Sequence, residues 1–339
     1  MKFSVVMTLF NGEAILAGAL DSLLAQDFAD WEAVLVDDGS TDGSVRLAEE
    51  YAKRDARIRL VRQPNGGVSV ARNHGMDEAR GEYVAWLDQD DAYVADALSH
   101  VAALIDAHPA CSCFQFPYQE LSQSGGEDVP RVSRAYSLYG DRECSGAEAF
   151  DILFSRIDTA GINWQPWRFV WRRDSLPRFR PGVIHEDIDV LPLHVARQDR
   201  VFIAKKPFYR YRPPRDSSAS GSFTPRRVRD ILDVTAHVYA DLGAAPLPDR
   251  VKRGFESMLA VNLFGYYLAT PGFAEPDRTE LLDAFAARPK WLTAIRWPPK
   301  TAWLKRLLVR TLGVRNTARL VGWLTSYRGF HSHTRGSRK

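Results

Sequence analysis

Two apolar, strand-like runs in this chain end in clusters of acidic side chains, and this layout strongly constrains the fold. The run Tyr83–Leu87 stops at Asp88-Gln89-Asp90-Asp91, and a second run stops at Asp37-Asp38. Carboxylates this close repel one another, and a folded protein accommodates them when positive charge lies among them. Divalent cations such as Mg2+ or Mn2+ prefer carboxylate oxygens and keep open positions for phosphate. Because open α/β sheets bind ligands at the carboxyl ends of their strands, the two clusters predict one polar, metal-dependent site.

Strand-like and helix-like segments alternate through the first part of the chain. Apolar strands are predicted over Phe3–Leu9, Trp31–Val36, Ile58–Val61 and Tyr83–Leu87, and the segment Glu13–Gln26 between the first two has helical spacing. Such alternation predicts an α/β fold with a mostly parallel sheet and helices on both faces. From Pro225 onward helical patterns dominate, so we expect a helical C-terminal region.

Composition is typical of a globular protein, with 45% hydrophobic and 26% charged residues in a chain of 339. Met1-Lys2 leads directly into a strand-like run, so we expect no signal peptide. Charge is distributed unevenly, because residues 285–339 contain 13 of the 45 basic residues and none of the 42 acidic ones. The rest of the chain is therefore acidic on balance, and the tail is strongly basic.

Five motifs occur in a fixed order along residues 3–215. They are Ser4-Val5-Val6-Met7-Thr8-Leu9-Phe10-Asn11-Gly12, Val36-Asp37-Asp38-Gly39-Ser40-Thr41-Asp42, Asn65-Gly66-Gly67-Val68-Ser69-Val70-Ala71-Arg72-Asn73-His74-Gly75, Trp86-Leu87-Asp88-Gln89-Asp90-Asp91 and His185-Glu186-Asp187. In this combination and order the chain resembles a family 2 glycosyltransferase of the GT-A fold.

The resemblance implies a GT-A domain with a Rossmann-like, mostly parallel sheet over residues 1–224, followed by a helical, basic region over 225–339. Within the first domain it assigns about 1–110 to the nucleotide-sugar donor and about 111–224 to the acceptor. It implies transfer of a sugar, with inversion, from a nucleotide diphosphate sugar such as a UDP-sugar to an acceptor hydroxyl. The expected cofactor is Mn2+ or Mg2+. A glycan or lipid-linked acceptor of cell-surface polysaccharide or lipopolysaccharide synthesis is expected by analogy.

The resemblance also assigns roles in donor binding. Asp90 would contact the metal directly, and Asp88 would bind the ribose or reach the metal through water. Asp38 would accept a hydrogen bond from the base, and Thr8 would line the base pocket. Two further residues, Asn11 and Arg72, are assigned to the same nucleotide-sugar site, and Arg72 would reach the diphosphate or support the acids.

Inversion requires one in-line displacement, and hence one general base that takes the acceptor proton. The resemblance assigns this role to Asp187, with Glu186 holding it or contacting the acceptor. Because the segment alternates acidic and apolar residues, the solvent face of a strand is an open alternative. Trp164, Trp167 and His185 are weaker acceptor candidates, since core packing explains both tryptophans equally well and His185 suits a structural role.

In the basic tail, Trp303, Leu304, Leu307, Leu308 and Leu312 share one helical face. A basic amphipathic helix with tryptophan predicts binding of 301–339 to an anionic membrane surface. The protein would then be cytoplasmic and peripheral on the inner face of the membrane. A helix packed on the acidic body is the open alternative. Nucleic-acid binding is not expected, because no recognition motif accompanies the charge.

Two other functional classes are compatible with some of these motifs. A nucleotidyltransferase or metal-dependent phosphohydrolase would use the same acids, but it leaves Glu186-Asp187 unexplained. A non-enzymatic carbohydrate-binding relative would have no need for the full set of acids.

Overall fold

The computed structural model describes residues 1–124, 127–132, 140–154, 164–213, 223–295 and 307–320. The chain forms two compact units. Unit 1 comprises Met1–Leu153 and Ala160–Ser217, and unit 2 comprises Phe154–Thr159 and Ser218–Lys339.

Unit 1 is a mixed α/β structure in the part of the chain that is described. Its strands are β1 (Phe3–Leu9), β2 (Trp31–Asp37), β3 (Ile58–Arg62), β4 (Tyr83–Trp86), β5 (Ala92–Tyr93), β6 (Cys113–Gln115), β7 (Tyr118–Ser124), β8 (Glu127–Val132), β9 (Arg142–Cys144), β10 (Phe169–Arg172), β11 (Val201–Ile203) and β12 (Tyr209–Tyr211). Its helices are α1 (Leu16–Leu24), α2 (Ser44–Arg54), α3 (Val68–Glu78), α4 (Ala97–Ala107), α5 (Gly146–Leu153) and α6 (Glu186–Ala196).

The main sheet has eight strands in the order β3-β2-β1-β4-β10-β6-β11-β9. The pairs β3–β2, β2–β1 and β1–β4 are parallel, and β4 pairs antiparallel with β10. Strands β1 and β2 are buried on both faces, as expected for a parallel sheet covered by helices. The predicted α/β fold class is therefore confirmed.

Helix α3 lies unusually close to the sheet. A Cβ atom added at Gly75 would come within 2.4 Å of Val6 Cγ1 and 3.1 Å of Val36 Cγ2. The absence of a side chain at this position lets the helix approach β1 and β2. This close packing sets the position of Arg72, which lies one turn earlier on α3.

Unit 1 also contains a smaller sheet with the strand order β5-β12-β7-β8. Strand β5 directly follows the acid turn, which we define as Asp88–Asp91, and it pairs antiparallel with β12. The segment Val201–Tyr211 likewise contains two strands, β11 and β12, which belong to different sheets. The acid turn is consequently attached to both sheets.

Two local features concern the starts of helices. Ser145-Gly146-Ala147-Glu148 forms a capping box, because the Ser145 backbone N–H donates to Glu148 Oε2 (3.0 Å) and the Glu148 N–H donates to Ser145 Oγ (3.3 Å). The alternative of a strand at Glu186–Asp189 is wrong, because these residues form the first turn of α6. Acidic side chains are favoured there by the positive end of the helix dipole.

The described part of unit 2 is helical. Its helices are α7 (Pro225–Ala244), α8 (Asp249–Ala269), α9 (Asp277–Ala286), α10 (Pro289–Thr293) and α11 (307–320). The helical C-terminal region is therefore confirmed. Across the described residues, every helix is either too short or too polar to traverse a lipid bilayer.

Helix α11 has one packed face and one exposed face. Val309, Val314 and Ala318 are buried, and the Tyr267 hydroxyl of α8 donates to the Val314 carbonyl (2.6 Å). In contrast, the side chains of Leu307 and Leu312 are 46% and 42% exposed. One face thus packs within unit 2 while another presents leucines outward. The rest of the predicted amphipathic face, including Trp303 and Leu304, lies outside the described residues.

Candidate active site

The acid motifs meet at one edge of the main sheet. Since β1, β2 and β4 run parallel, Leu9, Asp37 and Leu87 all lie at or just beyond the carboxyl ends of neighbouring strands. The Asp38 backbone N–H donates to the Leu9 carbonyl (2.8 Å), which joins the ends of β2 and β1. This edge is where an open α/β sheet binds its ligands.

Asp38 is buried and holds the glycine-rich loop before α3. Its Oδ1 accepts from Gln63 Nε2 (2.7 Å) and from the Gly66 N–H (2.8 Å), and its Oδ2 accepts from the Gly67 N–H (2.9 Å). These contacts place a negative charge at the amino-terminal end of α3, where the helix dipole favours it. Asp38 therefore has a structural role in shaping the loop, whether or not it also contacts a base.

Asn11 fastens the loop after β1 to the loop after β2. It adopts a left-handed backbone conformation (φ 46°), which asparagine tolerates better than most residues. Its Oδ1 accepts from the Thr41 N–H (2.8 Å), and its own N–H donates to Ser40 Oγ (3.0 Å). The Asn11 side chain thus orders the two loops that border the predicted base pocket. Thr8 lies in β1 beside this pocket and is half-buried.

Arg72 joins the donor motifs to the acidic helix α6. Its guanidinium is almost completely buried, with Nη1 bonded to Glu186 Oε1 and Nη2 3.6 Å from Asp88 Oδ1. Burial opposes the charged form, but Glu186 and Asp88 outweigh it and raise the pKa of Arg72. Arg72 is therefore a fixed positive charge between acids that lie far apart in sequence.

Asp187 follows Glu186 in the first turn of α6. It lies among many protein atoms although part of its surface remains accessible, and its Oδ1 accepts from the Ile188 N–H (2.8 Å). Burial, followed by the negative charge of Glu186, raises the pKa of Asp187 to about 8. The hydrogen bond from the Ile188 N–H and the charge of Arg72 lower the pKa of Asp187, but they do not offset this increase. A carboxyl with this pKa is suited to accept a proton near neutral pH.

The middle residue of the acid turn faces the loop after β1. The Gln89 side-chain amide exchanges two hydrogen bonds of 3.1 Å with the Phe10 backbone, accepting from its N–H and donating to its carbonyl. The Gln89 side chain thus ties the acid turn to the carboxyl end of β1.

The two remaining acids of the turn differ in their partners. Burial and then the charge of Asp88 raise the pKa of Asp90. Asp91 is held by β12 and the residue that follows it, because its oxygens accept from the Tyr209 hydroxyl (2.8 Å) and from the Arg212 N–H (2.7 Å). Burial and the charges of Asp88 and Asp90 hold the pKa of Asp91 well above its ordinary value.

Asp88 and Asp90 suit a divalent cation that obtains its other ligands elsewhere. Within the described residues, no three His, Cys, Asp or Glu side chains gather into a complete metal site. Mg2+-type sites commonly use one or two carboxylates together with phosphate oxygens and water. Asp88 and Asp90 supply carboxylate oxygens, the ligand type that such cations prefer, so the donor set fits a cation of this kind.

The predicted acceptor residues are more enclosed than expected. Trp167 is only 4% exposed, because its ring stacks on Tyr209 (4.4 Å between centroids, 11° between planes) and on Tyr211 (5.4 Å, 16°). Trp164 is also buried, as is His185, which lies at the start of α6. The suggestion that the tryptophans stack on sugar faces is therefore corrected to core packing.

Two further residues, Phe10 and Arg212, lie close to the acid turn and were not predicted from the sequence. Phe10 is 48% exposed at the carboxyl end of β1, an unusual position for a large aromatic ring. Arg212 lies close enough to Asp90 to lower its pKa. The aromatic residue within the first motif and the alternation Tyr209-Arg210-Tyr211-Arg212 after the Glu-Asp motif were the available signals.

Comparison with known proteins gives a consistent result. Residues 4–156 match the model of Glycosyl transferase family 2. This chain contains a family 2 glycosyltransferase domain. The uncharacterized glycosyltransferase EpsJ of Bacillus subtilis is 35% identical over 175 residues, which cover 52% of this chain and 49% of EpsJ. The uncharacterized glycosyltransferase YibD of Escherichia coli is 42% identical over 207 residues, which cover 55% of this chain and 54% of YibD.

The fold also matches a solved structure across nearly the whole chain. TarS 1–349 of Staphylococcus aureus, in complex with UDP-GlcNAc, superposes with a TM-score of 0.70 at 20% identity, covering 97% of this chain and 92% of that one. The chain therefore has the GT-A fold. It spans about half the length of the curated relatives EpsJ and YibD.

Proposed function

We propose that this protein is an inverting glycosyltransferase that moves a sugar from a UDP-sugar to an acceptor hydroxyl in cell-surface polysaccharide synthesis. The observation that carries the proposal is the contact of Arg72 with both Asp88 and Glu186. Through Arg72, an acid suited to donor binding and the acidic start of α6, suited to proton transfer, lie next to one another. One bound nucleotide sugar can then meet both sets.

The base of the nucleotide would lie at the ends of β1 and β2. The exposed ring of Phe10 offers a stacking surface, and Thr8 lies on the same strand. Asp38 Oδ2 accepts a single hydrogen bond from Gly67, so a lone pair remains for an N–H of the base. Asn11 would act by holding the surrounding loops in place.

Asp88 and Asp90 would hold a divalent cation, Mn2+ or Mg2+, next to the donor diphosphate. A cation bound there supplies positive charge beside the departing diphosphate. Arg212, which lies near Asp90, would add a second positive charge to the same region. Arg72 is already engaged by Glu186 and Asp88, so its part is to support the acids.

Asp187 would be the general base. Its carboxylate accepts the proton of the acceptor hydroxyl while that oxygen forms a bond to the anomeric carbon. The bond between the anomeric carbon and the diphosphate oxygen breaks in the same step, and UDP leaves with its electron pair. The product has inverted configuration because attack and departure occur on opposite faces. Glu186 would keep Arg72 beside this centre and raise the proton affinity of Asp187.

The relatives suggest the substrate class. TarS is named a poly(ribitol-phosphate) beta-N-acetylglucosaminyltransferase, and its structure contains UDP-GlcNAc. This supports a UDP-N-acetylhexosamine or UDP-hexose donor and a glycan acceptor, and similarity to a cholesterol galactosyltransferase of Borreliella burgdorferi (28% identical over 219 residues) keeps a lipid-linked acceptor within the proposal. Such a protein would act in the cytoplasm, where nucleotide sugars are available.

Asp90→Asn should remove metal-dependent turnover, because it deletes the charge that would bind the cation directly. UDP release from a panel of UDP-sugars, with and without Mn2+, measures this. The matched control is Asp199→Asn, the same substitution at an exposed position after α6, which should retain the Mn2+ response. Full Mn2+-stimulated release by Asp90→Asn would refute the cation assignment.

We further propose that α11 brings the enzyme to an anionic membrane surface. Replacing the exposed Leu307 and Leu312 by aspartate should abolish pelleting with anionic vesicles, because it removes apolar contact and adds repulsion. Both side chains point outward, so the buried face of α11 is retained. Phe223→Asp, at another exposed apolar residue of unit 2, is the control and should still pellet. Unchanged pelleting of the double variant would contradict the proposal.

A further inference from the structure

The hydroxyl of Tyr209 connects to both ends of the acid turn. It donates to Asp91 Oδ2 (2.8 Å) and accepts from the Asp88 backbone N–H (3.1 Å). Asp88 begins the turn and Asp91 ends it. The Tyr209 hydroxyl on β12 is therefore hydrogen-bonded to the turn on both sides of Asp90.

The position of this hydroxyl is fixed by its own surroundings. The Tyr209 ring is fully buried, is stacked on Trp167, and meets Tyr93 edge-on (5.9 Å, 70°). Tyr93 in turn donates its hydroxyl to the carbonyl of Trp86, the last residue of β4 (3.0 Å). Aromatic packing thus leaves the Tyr209 oxygen little freedom to move.

Asp91 is oriented toward β12 by a second hydrogen bond. While Oδ2 accepts from Tyr209, Oδ1 accepts from the Arg212 N–H (2.7 Å). With only 4% of its surface exposed, the Asp91 side chain is an anchor for the turn. The two remaining acids, Asp88 and Asp90, are the ones available to a ligand.

We propose that Tyr209 is a positioning residue that sets the geometry of Asp88 and Asp90 for a divalent cation. The inference rests on the proposed function, and it adds a residue outside the motifs that carry the resemblance. Cations such as Mg2+ require closely defined ligand positions. Hydrogen-bond partners that orient metal ligands typically contribute 10- to 100-fold to metal affinity. Tyr209 would make this contribution through the backbone of Asp88 and the side chain of Asp91.

The test compares two variants that each lose one hydroxyl. In the full-length chain with UDP present, Tyr209→Phe should weaken Mn2+ binding about 10- to 100-fold, measured as free Mn2+ by electron paramagnetic resonance. Tyr211→Phe is the matched control, since Tyr211 lies two residues along β12 and stacks on the same Trp167. It should bind Mn2+ like the wild type. Equal affinity in all three proteins, or equal losses in both variants, would overturn the inference.

Variants of Asp91 test the same hydrogen bond from its other end, and they serve if Tyr209→Phe does not fold. Asp91→Asn keeps one acceptor oxygen for the Tyr209 hydroxyl but turns a donor toward the Arg212 N–H. It should therefore weaken Mn2+ binding less than Asp91→Ala, which should be as weak as Tyr209→Phe. Equal loss in both Asp91 variants would identify Asp91 as a direct ligand and overturn the inference. Absence of Mn2+ binding by the wild type would instead overturn the metal part of the proposed function, and this inference with it.

Discussion

Replacing Asp187 by asparagine is expected to lower the rate of sugar transfer by about 10²- to 10⁴-fold, the usual contribution of a general base. Asparagine has nearly the same shape but cannot take the proton of an acceptor hydroxyl. Binding of UDP with Mn2+ should persist, because the residues proposed to hold the donor lie on β1, β2 and the acid turn. The measurements are UDP release from a UDP-sugar and a thermal shift with UDP and Mn2+.

The pH profile provides an independent check on Asp187. Because its pKa is raised to about 8, the carboxyl is mostly protonated below that pH and cannot act as a base. The wild-type rate should therefore rise with pH up to about 8 and then level off, with a tenfold change per pH unit on the acidic limb. This limb should be missing in Asp187→Asn. Transfer at the wild-type rate by this variant, or a wild-type profile that is flat across this range, would contradict the assignment.

Arg72→Met is expected to lower the free energy of unfolding by about 3–5 kcal/mol, the usual effect of removing one partner of a buried ion pair. Methionine fills part of the space but leaves Glu186 and Asp88 without their shared positive charge. Urea denaturation measures the loss. Arg178→Met is the matched control, because Arg178 forms an ion pair with Asp77 in which both side chains are exposed. That pair should contribute only about 0–1 kcal/mol.

A second substitution separates charge from packing at this position. If the loss in Arg72→Met comes from unpaired charge, then adding Glu186→Gln should restore part of the stability, because the buried carboxylate is gone. If the loss comes from a packing defect, the double variant should be no more stable than Arg72→Met alone. Arg72→Met should also shift the acidic limb of the pH profile to higher pH, because Arg72 lowers the pKa of Asp187. Stability equal to that of Arg178→Met would contradict the central role given to Arg72.

The features that could be predicted are those encoded by neighbouring residues. Apolar runs ending in acids marked β2 and β4, and helical spacing between strands indicated the parallel arrangement. The Ser145 capping box was recognisable because both of its partners lie within four residues. The acid turn was recognisable for the same reason, since like charges adjacent in sequence stay adjacent in any fold.

The features that could not be predicted depend on residues brought together from distant parts of the chain. Arg72 and Glu186 are 114 positions apart, and their contact requires that α3 and α6 meet beside the acid turn. Whether Trp167 would stack on a sugar or on Tyr209 was equally open, because a tryptophan side chain suits either role. The raised pKa of Asp187 arises first from burial of its side chain, which depends on packing between distant parts of the chain. Sequence motifs therefore indicated which side chains are candidates for catalysis and ligand binding. Packing between distant parts of the chain determined the protonation, the hydrogen-bond partners and the exposure of those side chains.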